Sequence, residues 1–321
     1  MFAFGMAFYG WWMASVAERG HHAEFFDWAI TEIDSKNSGT AALVLIEDGR
    51  VVHRFFSDEV DENTLFATAS FSKWITALAV MSLVEQGEVD LDMPVANYLT
   101  RWQLPDSEYD NDAVSIRRLL SHTAGLTDGL GFGDYLRNEP LPSLEQELSN
   151  PRASAGREVK ITVGREPGAE FLGDQINASP SFNIDGSLAP TYQYASAAAT
   201  AFASSVADLS NLVVTLLNGK RFPLQQDVVA SMREPHGFML GSGIWGLGTM
   251  LYVQTHNGDF VFGHDGANDP AINTSVRINP ETLDGFVMLV SGHPSLASAI
   301  GSEWVLWQTG YPDFLSTERA L

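Results

Sequence analysis

Ser70-Phe71-Ser72-Lys73 places a hydroxyl and an amine three residues apart at the start of an apolar run from Phe71 to Leu83. On a helix, residues three apart share a face, so the amine falls within reach of the hydroxyl. A lysine whose amine is kept neutral can take the hydroxyl proton and turn the serine into a nucleophile. The chemistry predicted is that of a serine hydrolase with a Ser-Lys pair rather than a Ser-His-Asp triad. The plainer reading is a helix N-terminus capped by Thr68 or Ser70, with Lys73 a solvated first-turn charge. Two features weigh against it. A cation in the first turn opposes the helix dipole. Lys73 also lies between Phe71 and Trp74-Ile75, which predicts partial burial, and a buried lysine is usually paired or functional.

The elements that must position this pair can be read from periodicity. Ala23 to Ile33 predicts an amphipathic helix. Thr40 to Glu47 and Val51 to Phe56 predict a hairpin turned at Asp48-Gly49. The Ser70 helix is expected to end near Gln86-Gly87, and Val114 to Leu120 reads as a short helix. Residues 127 to 190 are rich in Gly, Pro, Asn and Ser and read as loops. Val206 to Leu217 predicts a helix stopped by Asn218-Gly219. Gly246 to Gln254 and Phe260 to Gly263 flank an Asn257-Gly258 turn, and Ala271 to Ile278 with Gly285 to Ser291 form a second hairpin. Ser295 to Trp307 closes as a helix. Strands near both ends with helices between predict an α+β fold, one antiparallel sheet built from both termini.

Composition narrows the function. With 40 acidic against 18 basic residues the net charge is −22, which excludes nucleic acid as a partner and disfavours anionic membranes. Lysine occurs only at 36, 73, 160 and 220. The acidic excess reads plainly as a solubility charge and, more sharply, as adaptation to salt, which a steady fall of activity and melting temperature as salt rises would refute. There is no cysteine, hence no disulfide, thiolate metal site or cysteine nucleophile. The apolar stretch from Phe2 to Val16 is too short for a confident span and lacks a basic n-region. It reads as a packed segment, with weak membrane contact the alternative. Adjacent histidines point apart on a helix, so His21-His22 is read as solvated surface; no metal and no cofactor are expected.

Two further blocks accompany the Ser-x-x-Lys motif: Leu119-Leu120-Ser121-His122-Thr123-Ala124-Gly125-Leu126, and Gly263-His264-Asp265-Gly266-Ala267. With the segment Ala203 to Leu209, they resemble the serine β-lactamase and penicillin-binding-protein superfamily, in its class C-like branch, which includes family VIII carboxylesterases. The resemblance runs from about Gly39 to Trp307. It implies a β-lactamase/DD-peptidase-like fold, with Ser70 acylated and Lys73 its base. His264-Asp265-Gly266 matches the third family motif, on a strand lining the site. The resemblance makes His264 an electrostatic or hydrogen-bonding group near Lys73, and gives the oxyanion hole to the backbone N–H groups of Ser70 and Ala267. Gly266 is expected to keep the strand edge open to substrate. His122 is read as structural.

The sequence departs from the family after Pro167-Gly168-Ala169-Glu170-Phe171, where Leu172-Gly173-Asp174-Gln175 stands in place of the motif tyrosine. Tyr192 and Tyr194 are the nearest alternatives, and Tyr194, followed by Ala195-Ser196, is the candidate; ordinary aromatic packing is the plainer reading of both. The shortened insertion predicts an open site. The expected organisation is an apolar segment 1–20, a sheet domain of 21–110 with 205–321, and a helical and loop insertion, 111–204, lining the site. The resemblance implies an acyl-enzyme hydrolase of small ester or amide substrates, first a carboxylesterase on short to medium or bulky esters. β-Lactamase or D-amino-acid peptidase activity is the alternative, and a catalytically silent binding protein the third. Oligomeric state and compartment, exported or cytoplasmic, stay open; an integral membrane protein is not expected.

Overall fold

A computed structural model describes residues 22–126, 135–136, 138–149, 179–190, 192–219, 224–239, 242–268 and 270–309. The amphipathic N-terminal stretch forms α1 (His22–Lys36), whose Phe25, Ala29 and Ile33 recur every four residues and are buried. β1 (Thr40–Glu47) and β2 (Arg50–Phe56) pair as a hairpin. Asp48 and Gly49 turn it with φ of 48° and 70°, the two left-handed residues that a type I′ turn requires.

β3 (Leu65–Ala67) leads through a 3-10 turn, Ala69–Phe71, into α2 (Ser72–Glu85). The middle of the chain contributes α3 (Ile116–Leu120), β4 (Tyr135–Leu136), α4 (Leu144–Ser149), β5 (Tyr192–Gln193) and α5 (Ala197–Thr200). β6 (Ala203–Ser205), α6 (Val206–Leu217) and α7 (Gln226–Ser231) follow. The last third supplies β7 (Gly237–Met239), β8 (Ser242–Trp245), β9 (Met250–Gln254), β10 (Phe260–Asn268), β11 (Ile272–Asn279), β12 (Asp284–Ser291) and α8 (Leu296–Thr309).

Eight of these strands form one antiparallel sheet in the order β2-β1-β12-β11-β10-β9-β8-β7, joining both ends of the described chain as the sequence predicts. Alternation along β1 sends Ala42, Val44 and Ile46 toward α2 and α6. It sends Ala41, Leu43 and Leu45 toward α1 and α8. Helices cover both faces, so β1 and β12 read as unbroken apolar runs rather than alternating ones. Each fully buried Leu, Val or Phe here contributes about 1.5–3 kcal/mol. α2 is pinned to the sheet by Trp74, edge-on to Phe71 and Phe262, with its indole N–H donating to Thr249 Oγ1 at 3.1 Å.

Several expectations are corrected. Neither Thr68 nor Ser70 caps α2: the Thr68 hydroxyl donates to Phe202 O at 2.8 Å, and the helix is entered through the 3-10 turn without a side-chain cap. Gly246–Thr249 is not strand; β9 begins at Met250, and β10 continues past Gly263 to Asn268. Residues 203–205 pair with β3, and Ser205 then caps α6, its Oγ accepting from the Asp208 N–H at 3.1 Å. β7 and β8 went unread, hidden among glycines that mask strand periodicity. His22 is not solvated surface; it packs 3.5 Å from the buried Asp284 carboxylate. The apolar segment 2–16 and the Pro167–Phe171 stretch with its missing tyrosine lie outside the described residues. Among the described residues, no helix is long and apolar enough to cross a membrane.

Candidate active site

Ser70 occupies the middle of the 3-10 turn and Lys73 the first turn of α2, both half-buried. The chain enters this turn through Ala69 at φ 51°, a left-handed conformation that costs a non-glycine residue roughly 1–2 kcal/mol. Lys73 Nζ lies 3.0 Å from Ser70 Oγ and donates to Ala199 O at 3.0 Å. Burial lowers the Lys73 pKa from its ordinary 10.5 to about 8. A neutral amine has two N–H bonds and one lone pair. With one N–H held by the Ala199 carbonyl, the lone pair is free to face Ser70 Oγ and accept its proton.

The carbonyl is placed by a clasp between the nucleophile segment and residues 198–202. Thr76 Oγ1 donates to Ala198 O at 2.6 Å, the Phe202 N–H donates to Ser72 Oγ at 3.0 Å, and the Thr68 N–H and hydroxyl both reach Phe202 O. Ser72 and Thr76 stand one helical turn apart, so one face of α2 reads the backbone of residues 198–202. β3–β6 pairing extends the same join. Sequence reading missed Ala199, since a backbone carbonyl leaves no mark on residue type.

β10 forms the opposite wall. Its pairing with β9 ends at Gly263↔Met250, so from His264 onward that edge lacks the β9 partner. A Cβ on Gly266 would stand 2.3 Å from Thr68 O and 3.0 Å from Ser70 N. The glycine therefore serves a close approach of the protein's own backbones, where the sequence reading had it making room for substrate. Ala267 is exposed beside it.

His264 points to the α2 face of the sheet with Phe262 and is 1% exposed. Its Nδ1 lies 2.5 Å from Asp265 O. A carbonyl only accepts, so Nδ1 carries the proton and Nε2 presents a lone pair. That Nε2 is buried without a hydrogen-bond partner in the protein. Burial foremost, partly offset by the Asp265 carbonyl and reinforced by Lys73 and His122 nearby, lowers the pKa to about 3. His264 is thus a neutral group at physiological pH. Trp245 stands edge-on to both His122 at 4.6 Å and His264 at 5.5 Å, and its indole N–H donates to Leu120 O at 3.0 Å. The block at 119–126 accordingly buttresses the wall that carries His264. Trp245 was also missed, because β8 went unread.

Tyr192 is half-buried in β5, paired opposite Leu136, and Tyr194 is half-buried between β5 and α5. Among the described residues, no group of three or more His, Asp or Glu is placed to hold a metal ion.

The Lys73 ionisation fixes a pH dependence. The neutral fraction grows about tenfold per pH unit below 8 and saturates above, so the rate at which Ser70 reacts with a fluorophosphonate is expected to do the same. An inflection near 6.5 in the pH–rate profile would instead show His264 titrating, against its buried setting. Stability follows with the same sign. Between pH 8 and 10.5 the unfolded chain binds the Lys73 proton more tightly, so stability rises with pH across that window.

A serine and a lysine on one helix entry, set against the open edge of an antiparallel sheet between helical layers, define the penicillin-binding-protein and serine hydrolase superfamily. Within it, the Beta-lactamase family model matches residues 26–310, and the chain belongs to that family. Penicillin-binding protein 4 of Amycolatopsis lactamdurans is 36% identical over 116 residues, 34% of this chain and 29% of that protein. Esterase EstB of Burkholderia gladioli is 45% identical over 65 residues, 20% of this chain and 17% of the esterase. The chain thus matches less than a third of the length of either relative. Among solved structures, the D-amino acid amidase of Ochrobactrum anthropi SV3 superposes with a TM-score of 0.63 at 18% identity, covering 92% of this chain and 99% of the amidase. That likeness is one of fold.

Proposed function

We propose that the protein is a serine hydrolase working through an acyl-enzyme, and that esters are its preferred substrates. The 3.0 Å contact between Ser70 Oγ and a half-buried Lys73 amine with a lowered pKa carries the proposal. In this reading Ser70 Oγ attacks the substrate carbonyl carbon as its proton passes to Lys73 Nζ. The N–H groups of Ser70 and Ala267 receive the developing oxyanion, where losing one donor typically costs about 10²–10³ in rate. Collapse breaks the ester C–O bond, and the alkoxide leaves with the proton from Lys73. Water then attacks the acyl-enzyme, gives one proton to Lys73, and the acid departs as Ser70 Oγ recovers that proton. Tyr194 stands as the candidate for a third proton-handling group.

The preference for esters rests on His264. A substrate carboxylate, as on a β-lactam, calls for a cation, and His264 is neutral. D-Amino-acid amide hydrolysis is the second reading, favoured by the amidase-like fold.

Incubation with p-nitrophenyl butyrate, nitrocefin, a D-amino-acid amide and a fluorophosphonate probe, beside Ser70→Ala, tests this. Fluorophosphonate is expected to label Ser70, and the butyrate ester to turn over fastest. Faster nitrocefin or amide turnover would reverse the substrate order. Absence of both labelling and turnover in the wild type would support a silent binding protein instead.

A further inference from the structure

On the α8 side of the sheet, Asn273 of β11 is 1% exposed and uses both ends of its amide. Oδ1 accepts from the Ser298 N–H at 2.8 Å, and Nδ2 donates to Ser298 Oγ at 3.1 Å and to Gly266 O at 2.8 Å. The bonds to Ser298 satisfy the first turn of α8, whose N–H groups lack partners within the helix. The bond to Gly266 O adds nothing to that cap, and it lands on the strand beside the nucleophile.

The Gly266 carbonyl and the Ala267 N–H share one peptide plane, and in a trans peptide they point in opposite directions. Asn273 stands on the neighbouring β11 and holds the carbonyl from that side. The N–H therefore points to the opposite edge of β10, the edge that β9 has left, and Ser70 N stands 3.0 Å from the position of a Cβ on Gly266 at this peptide. β9 has already parted from β10 at Gly263, so the plane is held from the β11 side alone, by the ladder that pairs Gly266 with Thr274 and Ala267 with Asn273 and by the Asn273 amide.

We propose that Asn273 is a positioning residue for the oxyanion hole: its amide fixes the Gly266–Ala267 peptide so that the Ala267 N–H faces Ser70. The inference rests on the acyl-enzyme reading above. A donor stabilises a developing oxyanion most when it is aimed before the charge appears, so a peptide held less firmly costs kcat rather than substrate binding.

Asn273→Asp keeps the acceptor for the Ser298 N–H but replaces the donor to Gly266 O with a second acceptor. Asn273→Ala removes both without adding a charge, and Ser298→Ala loses only the Oγ contact. With p-nitrophenyl butyrate, both Asn273 variants are expected to lose roughly ten- to a hundredfold in kcat at near-constant KM, with a parallel fall in the rate of fluorophosphonate labelling. Ser298→Ala is expected to match the wild type. All are compared below their own melting transitions, and Asn273→Ala stands in should the buried aspartate prevent folding. A wild-type kcat in either Asn273 variant, or an equal loss in Ser298→Ala, would reduce Asn273 to a helix cap. A wild type that neither labels nor turns over would overturn the hydrolase reading and this inference together; a labelled wild type with unchanged Asn273 variants overturns the inference alone.

Discussion

Lys73→Met is expected to lower kcat for an ester by about 10²–10⁴-fold, the usual contribution of a positioned general base. Methionine keeps an unbranched apolar stem while removing the amine 3.0 Å from Ser70 Oγ. Burial disfavours the ammonium at this position, so the melting temperature is expected to hold or rise. Activity and stability then move apart, which a collapsed site would not produce. Lys73→Arg should be as inactive as Lys73→Met, since a guanidinium retains its proton and cannot act as base. Ser70→Ala combined with Lys73→Met should be no worse than Ser70→Ala alone, because residues acting as one unit are not additive. Steady-state kinetics and thermal melts decide the matter, and a Lys73→Met variant with more than a tenth of wild-type kcat would remove Lys73 from the mechanism.

Gly266→Val is expected to damage fold and activity together. The new Cβ would stand 2.3 Å from Thr68 O, 2.9 Å from Phe71 N and 3.0 Å from Ser70 N. All three are backbone atoms and cannot swing aside as a side chain can. Either β10 or the 3-10 turn must shift, and both N–H groups assigned to the oxyanion hole ride on those two elements. A loss of about 10²–10³ in kcat follows, with overpacking costing about 1–3 kcal/mol of stability. Gly266→Ala should show both effects in milder form. Were the glycine kept only to admit substrate, the smallest acyl esters would be spared and the melting temperature unchanged; kinetics across acyl chain length together with thermal melts separate the two.

Ser70 and Lys73 were legible as neighbours because their three-residue spacing sits beside the blocks at 119–126 and 263–267, and Asp48-Gly49 because a type I′ turn demands those residue types. The sheet followed from β-branched runs at both ends of the chain. His264 and Gly266 were legible as a block, but their physics was not. Whether a histidine is cationic depends on how deeply it is buried, and here Trp245, from an unread strand, stands against it. The Ala199 carbonyl and the Asn273 amide were invisible for a common reason. Each acts through backbone geometry fixed by residues far away in sequence, and residue type does not encode that.

The clasp around Lys73 joins residues separated by 122 to 134 positions. A chain in which residues 198–202 have not yet closed onto α2 leaves Lys73 solvated, with the proton affinity of an ordinary lysine, and Ser70 a plain alcohol. Closing a loop of that length is among the slower steps a chain takes. On the proposed mechanism, reactivity is expected to be withheld during synthesis and refolding and to appear only when the tertiary structure is complete. A fluorophosphonate present during refolding should label Ser70 with the kinetics of the last folding phase, and labelling ahead of that phase would contradict this order of events.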